Sequence, residues 1–219
     1  MQSRVKIGHD AHAKGFAYQN KIAHKFSDWS HADFHSTPAS GSLHWSPDVY
    51  GDVMTTNVEG WHTLIECKRY DSATINHYAY GQGNFRLNEK HELWWSQTIR
   101  EAHASGSIPT LVYAGLRTPS YLVIPAQYEL AMELSKDSYV IFKDLLYYDL
   151  EDNIRCSKTM LVDIDKFFEK FTLEDYIAKW QDPLLKSWDD WDTLVKTASA
   201  INKDSNKEQK EEVSLEELF

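Results

Sequence analysis

Gly51-Asp52-Val53-Met54-Thr55-Thr56 and Trp61-His62-Thr63-Leu64-Ile65-Glu66-Cys67-Lys68-Arg69 read as the two arms of a β-hairpin, with Asn57-Val58-Glu59-Gly60 as its turn. Side chains alternate along a strand, so Glu66 and Lys68 share a face, roughly 7 Å apart. If Thr56 pairs with His62, Asp52 lies directly opposite Glu66. A change of one residue in the loop would move Asp52 off that face, so the arrangement is conditional on register. In the favourable register two carboxylates and one ammonium converge.

That convergence has a chemistry. Two carboxylate oxygens and a backbone carbonyl, that of Cys67, form a hard oxygen set suited to Mg²⁺ together with several waters, with Mn²⁺ as a substitute. A metal at such a site lowers the pKa of bound water and stabilises charge on a phosphate under attack. Lys68 can orient the attacking water or neutralise the developing charge. Glu66 and Lys68 alone are more readily read as charges on the solvent face of an ordinary hairpin. The apolar run before Glu66, and an Asp fourteen residues upstream of it, weigh against that reading.

Asp52, Glu66 and Lys68 match the D…(D/E)-x-K pattern, and the chain resembles the PD-(D/E)xK nuclease superfamily, more closely its archaeal-type Holliday-junction resolvases. Pro38-Ala39-Ser40-Gly41-Ser42 resembles the Ser/Gly loop that precedes the Asp strand in that family, and Trp95-Ser96-Gln97 opens a stretch resembling the helix after its E-x-K strand. The resemblance covers roughly Lys14 to Pro125. It implies metal-dependent hydrolysis of DNA phosphodiesters, a homodimer that places two sites on a branched DNA, and a supporting role for Gln97 near Lys68. One position departs from the pattern. The family carries a Glu four residues after a Gly, and here Gly15 is followed by Gln19. A neutral amide can hydrogen-bond a metal-bound water but supplies no negative charge, which bears on the number and affinity of metals.

The 219 residues suffice for one α/β domain with a real core and an appendage. No stretch approaches the ~20 apolar residues of a membrane span. The N-terminus has no hydrophobic signal core, and Cys67 and Cys156 show no metal spacing, which suits two thiols in a reducing cytoplasm. The net charge of −10 is unevenly placed. Residues 1–125 hold 11 Lys+Arg and 11 Asp+Glu, whereas residues 126–219 hold 12 and 22. The front can therefore present a locally basic face to DNA, and the acidic rear is poorly suited to phosphate.

Taken in order, residues 1–10 read as frayed. A helix is expected from about His12 to Ser27, with Phe16, Gln19, Ala23 and Phe26 on one stripe. Residues 28–50 read as a loop in which Ser40 and Ser42 could contact phosphates. His31, His35, His44 and His62 match no closed zinc site. Residues 71–88 read as a polar connection spotted with Tyr78, Tyr80, Phe85 and Arg86, able to order on DNA. Asn88 is expected to cap a helix to about Ala104, ended by Ser105-Gly106, with Trp95, Ile99 and Ala102 buried. Strands follow at Thr110–Ala114 and Tyr121–Ile124. This order predicts an α/β fold, a central mixed sheet flanked by helices as in restriction endonucleases. Beyond Pro125 come a helix (Ala126–Leu134), strands near Tyr139–Phe142 and Met160–Ile164, and a helix after Thr172 with Asp175 completing a capping-box-like start. Trp180, Trp188 and Trp191 read as packing anchors.

The expected organisation is a nuclease core (1–125), an extension packed on it (126–200) and an acidic tail (201–219). The tail is polar over 201–213 and expected to be disordered. It ends in Leu215, Leu218 and Phe219, a pattern resembling the peptides by which DNA-processing enzymes dock on sliding clamps, or else a staple onto the protein itself. The functional expectation is a Mg²⁺-dependent endonuclease with Asp52, Glu66, Lys68, Gln19 and Gln97 at its catalytic centre and Ser40, Ser42, Arg69 and Arg86 on DNA. Four-way junctions are its expected substrate. The rivals are another repair or restriction-like nuclease of the superfamily, and a non-catalytic DNA-binding protein on the same scaffold.

Overall fold

The computed structural model describes residues 4–37, 50–86, 93–186 and 192–196. Ser40, Ser42, Asn88, Trp188, Trp191, Leu215, Leu218 and Phe219 lie outside them, and the helix expected from Asn88 starts instead at Trp94, after an extended Leu93. The chain begins with α1 (Arg4–Ser30) and continues through β1 (Phe34–Ser36), β2 (Val53–Thr55) and β3 (Thr63–Arg69). Next come α2 (Ile75–Ala79), a 3₁₀ turn (Gly83–Phe85), α3 (Trp94–Ser105), β4 (Ile108–Ala114), β5 (Tyr121–Pro125) and α4 (Tyr128–Leu134). The remainder is β6 (Ile141–Tyr148), β7 (Ile154–Asp163), α5 (Ile164–Lys170), α6 (Leu173–Asp175), a π-helical turn (Tyr176–Gln181), α7 (Asp182–Lys186) and β8 (Asp192–Lys196).

The strands form one mixed sheet in the order β1-β2-β3-β4-β5-β7-β6, with β8 on β7. β3 and β4 are parallel, joined by the crossover that carries α2 and α3. The neighbours β1–β2, β2–β3, β4–β5, β5–β7 and β6–β7 are antiparallel. The sheet runs on without interruption past Pro125, because β5 pairs with β7 from Tyr121↔Asp163 to Pro125↔Thr159.

Helices cover both faces, and this explains why β4 and β5 are buried at every position. On one face α1 lays Tyr18, Ile22 and Phe26 over Val53, Ile65, Cys67, Val112 and Leu122. On the other, Trp95 and Ile99 of α3 and Tyr78 of α2 pack on Leu111, Tyr113 and Val123. Alternation along each strand divides its residues between the two cores. α3 ends at Gly106, whose φ of 63° gives the left-handed cap.

Several elements differ from the sequence reading. α1 starts at Arg4 rather than after a frayed decapeptide. Its inner face centres on Tyr18, Ile22 and Phe26, which leaves Phe16 on the flank at 46% exposure. Three residues in the presumed loop, Phe34–Ser36, form β1. The connection over 71–86 is largely structural, with Tyr78 and Phe85 buried and Tyr80 exposed. β6 and β7 are longer than expected, and α5 begins where Asp163 caps the amides of Asp165 and Lys166. Thr172 accepts the Asp175 N–H at 3.1 Å, as the capping reading expects. Trp180 is buried edge-on to Phe171.

Candidate active site

β2 and β3 pair through Val53↔Ile65, which brings Asp52, just before β2, alongside the Ile65–Cys67 stretch of β3. The Asp52 backbone is pinned on both sides. Its N–H donates to the Ile65 carbonyl at 2.8 Å, and its carbonyl accepts the Thr37 N–H at 2.9 Å. Gly51 just before it has a φ of 77°, and a Cβ there would lie 3.0 Å from the Ile65 carbonyl oxygen, so the approach to β3 needs glycine. The Asp52 carboxylate is buried and aimed: Oδ2 accepts the Cys67 N–H at 2.8 Å and Oδ1 accepts Gln19 Nε2 at 2.6 Å. N–H and C=O of one strand residue face the same edge, so the Cys67 carbonyl also faces the Asp52 side, beyond the start of β2.

Glu66 is 3% exposed and Lys68 lies beside it on the α3 face of β3. Lys68 Nζ donates to Glu66 Oε1 at 2.5 Å and to Gln97 Oε1 at 2.7 Å. Gln97 Nε2 donates in turn to Glu101 Oε1 at 3.0 Å, and Glu101 Oε2 accepts the Gly51 N–H at 3.2 Å. Glu101 is the residue that sequence reasoning missed. Its signal was available: it lies four residues after Gln97, on the same helix face.

The electrostatics are those of an acidic surplus. Burial, with the neighbouring Asp52 and Glu101 carboxylates, pushes the Glu66 pKa up to about 8 against the opposing Lys68 ammonium. Burial alone would lower Lys68, but the Glu66 carboxylate overrides it, and Asp52 and Glu101 add to a net rise that keeps the ammonium charged. The Lys68 ammonium therefore stands among three carboxyl groups, two of them buried, and burial beside Asp52 makes Glu66 give up its proton only well above the usual carboxylate range. A second, divalent positive charge would relieve this imbalance, and the donors present are hard oxygens. Among the described residues no group of three or more His, Cys, Asp or Glu side chains is placed to hold a metal ion. A cation at Asp52 and Glu66 thus depends on the Cys67 carbonyl and water. The Cys67 thiol points into the α1 core, and burial with the Asp52 and Glu66 charges raises its pKa well above the usual thiol range, so it stays neutral.

The structure brings together Asp52, Glu66, Lys68, Gln19, Gln97 and the Cys67 backbone. Arg69 lies on the opposite face of β3, its guanidinium 6.0 Å from the ring centre of Tyr18. Arg86 is exposed at the end of the 3₁₀ turn. No helix among the described residues is long and apolar enough to cross a membrane.

A family model described as "Phage putative PDDEXK endonuclease" matches residues 10–178, from within α1 into the π-helical turn. No curated protein and no solved structure gives a match.

Proposed function

The chain belongs to this phage PDDEXK endonuclease family, and on that premise we propose that it hydrolyses DNA phosphodiester bonds using a divalent cation, Mg²⁺ or Mn²⁺, at Asp52, Glu66 and the Cys67 carbonyl. The observation that carries the reading is the Asp52–Glu66–Lys68 constellation: Lys68 bonds Glu66 on β3, and the Asp52 carboxylate, just before β2, is held by Gln19 and by the N–H of Cys67, the residue between them. A bound divalent cation would supply activation of water and neutralisation of phosphate charge. The chain's own residues do the rest. Asp52 and Glu66 present oriented oxygens, since Cys67 N–H and Gln19 fix one carboxyl group and Lys68 fixes the other. Lys68, half-buried and held by Gln97, offers a fixed positive charge where negative charge develops.

The finer reading is that the substrate is a four-way junction cut by a homodimer. It rests on the resemblance of the Lys14–Pro125 stretch and on the need for two sites to make paired nicks. The test is digestion of a synthetic four-way junction beside a matched linear duplex with Mg²⁺, using wild type, Asp52→Asn and Lys68→Ala. Asp52→Asn keeps the bulk around the Cys67 N–H. Both variants should lose roughly 10²-fold or more in rate, with circular dichroism unchanged. Asp52→Asn cutting at the wild-type rate would refute the site. Equal cutting of both DNAs would favour a repair or restriction-like nuclease, and no cleavage with any divalent cation would favour a non-catalytic DNA-binding scaffold.

A further inference from the structure

We propose that Glu101 is a positioning residue of this site: it fixes the orientation of the Gln97 amide so that the amide oxygen faces Lys68, and it ties that assembly to the Asp52 arm through Gly51. The inference rests on the nuclease reading and adds to it a residue outside the D…E-x-K pattern.

A carboxamide has two ends of nearly equal shape, and its partners decide which end points where. Lys68 Nζ only donates, so it requires the oxygen of Gln97, which it meets at 2.7 Å. An ionised carboxylate only accepts, so Glu101 Oε1 requires the amide nitrogen, which it meets at 3.0 Å. With both partners present, a single orientation of Gln97 satisfies the pair. Without Glu101, Gln97 loses the contact that holds its nitrogen away from Lys68, and the ammonium keeps Glu66 as its fixed acceptor.

The second oxygen of Glu101 extends the arrangement. It accepts the Gly51 N–H at 3.2 Å, one residue before Asp52. The path Lys68–Gln97–Glu101–Gly51 therefore runs from the E-x-K strand through α3 to the arm that carries Asp52. The two arms meet directly as well, where Cys67 N–H reaches Asp52 Oδ2. Glu101 is thus the clamp on the α3 side, acting through Gln97 and Gly51 rather than by touching the scissile phosphate.

The experiment reverses the polarity of the α3 pair. In Glu101→Gln an amide nitrogen must face either the Gln97 nitrogen or the Gly51 N–H, so one donor meets a donor. In the double variant Gln97→Glu/Glu101→Gln every donor again meets an acceptor. The carboxylate introduced at position 97 accepts from Lys68 and from the amide introduced at position 101, whose oxygen accepts the Gly51 N–H. For the full-length chain with Mg²⁺, single-turnover cleavage by Glu101→Gln should fall about 10- to 100-fold, the range typical of outer-shell partners, with DNA affinity unchanged. The double variant should recover most of the rate. Hydrogen exchange of the Gly51 amide, which needs no catalysis, should quicken in the single variant and slow again in the double one. A double variant as slow as Glu101→Gln, with an intact fold, would overturn the positioning role, as would Glu101→Gln at wild-type rate. A wild type that cuts no DNA with any divalent cation overturns the nuclease reading instead, and Gly51 exchange still reports whether the clamp exists.

Discussion

Gln19→Glu places a carboxylate oxygen where an amide nitrogen now donates to Asp52 Oδ1 at 2.6 Å. Two unit charges at that distance repel by about 6 kcal/mol at an effective dielectric of ~20. Uptake of a proton by one carboxylate, or a rotamer change, relieves part of this. The lost hydrogen bond to a charged group is itself worth about 1.5–3 kcal/mol. A net loss of about 2–3 kcal/mol in the metal-free protein is expected, or roughly 5–10 °C in Tm for a chain of this size. A divalent cation would reverse the sign of the effect, because a third carboxylate beside Asp52 and Glu66 adds attraction. If its Kd falls tenfold, saturating Mn²⁺ stabilises the variant by about 1.4 kcal/mol more than the wild type. The assay is thermal unfolding at pH 8 of wild type, Gln19→Glu and Gln19→Ala, with chelator and with Mn²⁺. The expected pattern is a lower metal-free Tm and a larger metal-induced rise for Gln19→Glu alone. A lower Tm with the same metal-induced rise as wild type would show that Gln19 serves the fold and does not face the cation, and the reasoning would fail.

Two further outcomes follow from particular contacts. Glu66 is raised from its ordinary 4.5 to about 8 by burial and by Asp52, so between those pH values the folded chain keeps a proton that the unfolded chain has lost. Metal-free stability should therefore decline as pH rises through that window, and Glu66→Gln should flatten the decline in Tm between pH 5 and 8; an unchanged slope would refute the assignment. At Gly115 a Cβ would stand 1.7 Å from the Ala73 carbonyl oxygen, so Gly115→Ala should cost at least about 3 kcal/mol in urea unfolding, and a cost below about 0.5 kcal/mol would mean that the end of β4 and the segment before α2 separate freely.

The part of the site legible in the sequence was the part written in local periodicity. Alternation alone places Glu66 and Lys68 on one face, and the pairing Val53↔Ile65 fits the expected hairpin register, although the Asp52 N–H bonds the Ile65 carbonyl. Gln19 was visible as the polar member of an apolar helical stripe, and it is buried with its amide on Asp52. Glu101 was not read, because an acidic residue near the end of an amphipathic helix is ordinarily a solvent-facing charge. Its role depends on Gly51, fifty residues away in sequence. β1 was missed because three residues carry no usable period, and its pairing with β2 is set by tertiary contact.

The stretch after Pro125 reads as an extension by composition, yet it secures the start of β3, the strand that carries Glu66 and Lys68. Gln181, fully buried in the π-helical turn, accepts the His62 N–H at 2.8 Å and the Thr63 hydroxyl at 3.0 Å and donates to the Gly60 carbonyl at 2.5 Å. Tyr176 meets the same Thr63 hydroxyl at 2.7 Å. These contacts hold the Gly60–Thr63 corner, from which β3 runs three residues on to Glu66. A strand is stiff along its length and alternates strictly, so a slip at this corner would carry Glu66 and Lys68 off the α3 face together. The family match reaches residue 178, two residues past Tyr176. The contacts across this corner give a physical reason for a candidate site built around β3 and α3 to depend on residues more than a hundred positions later.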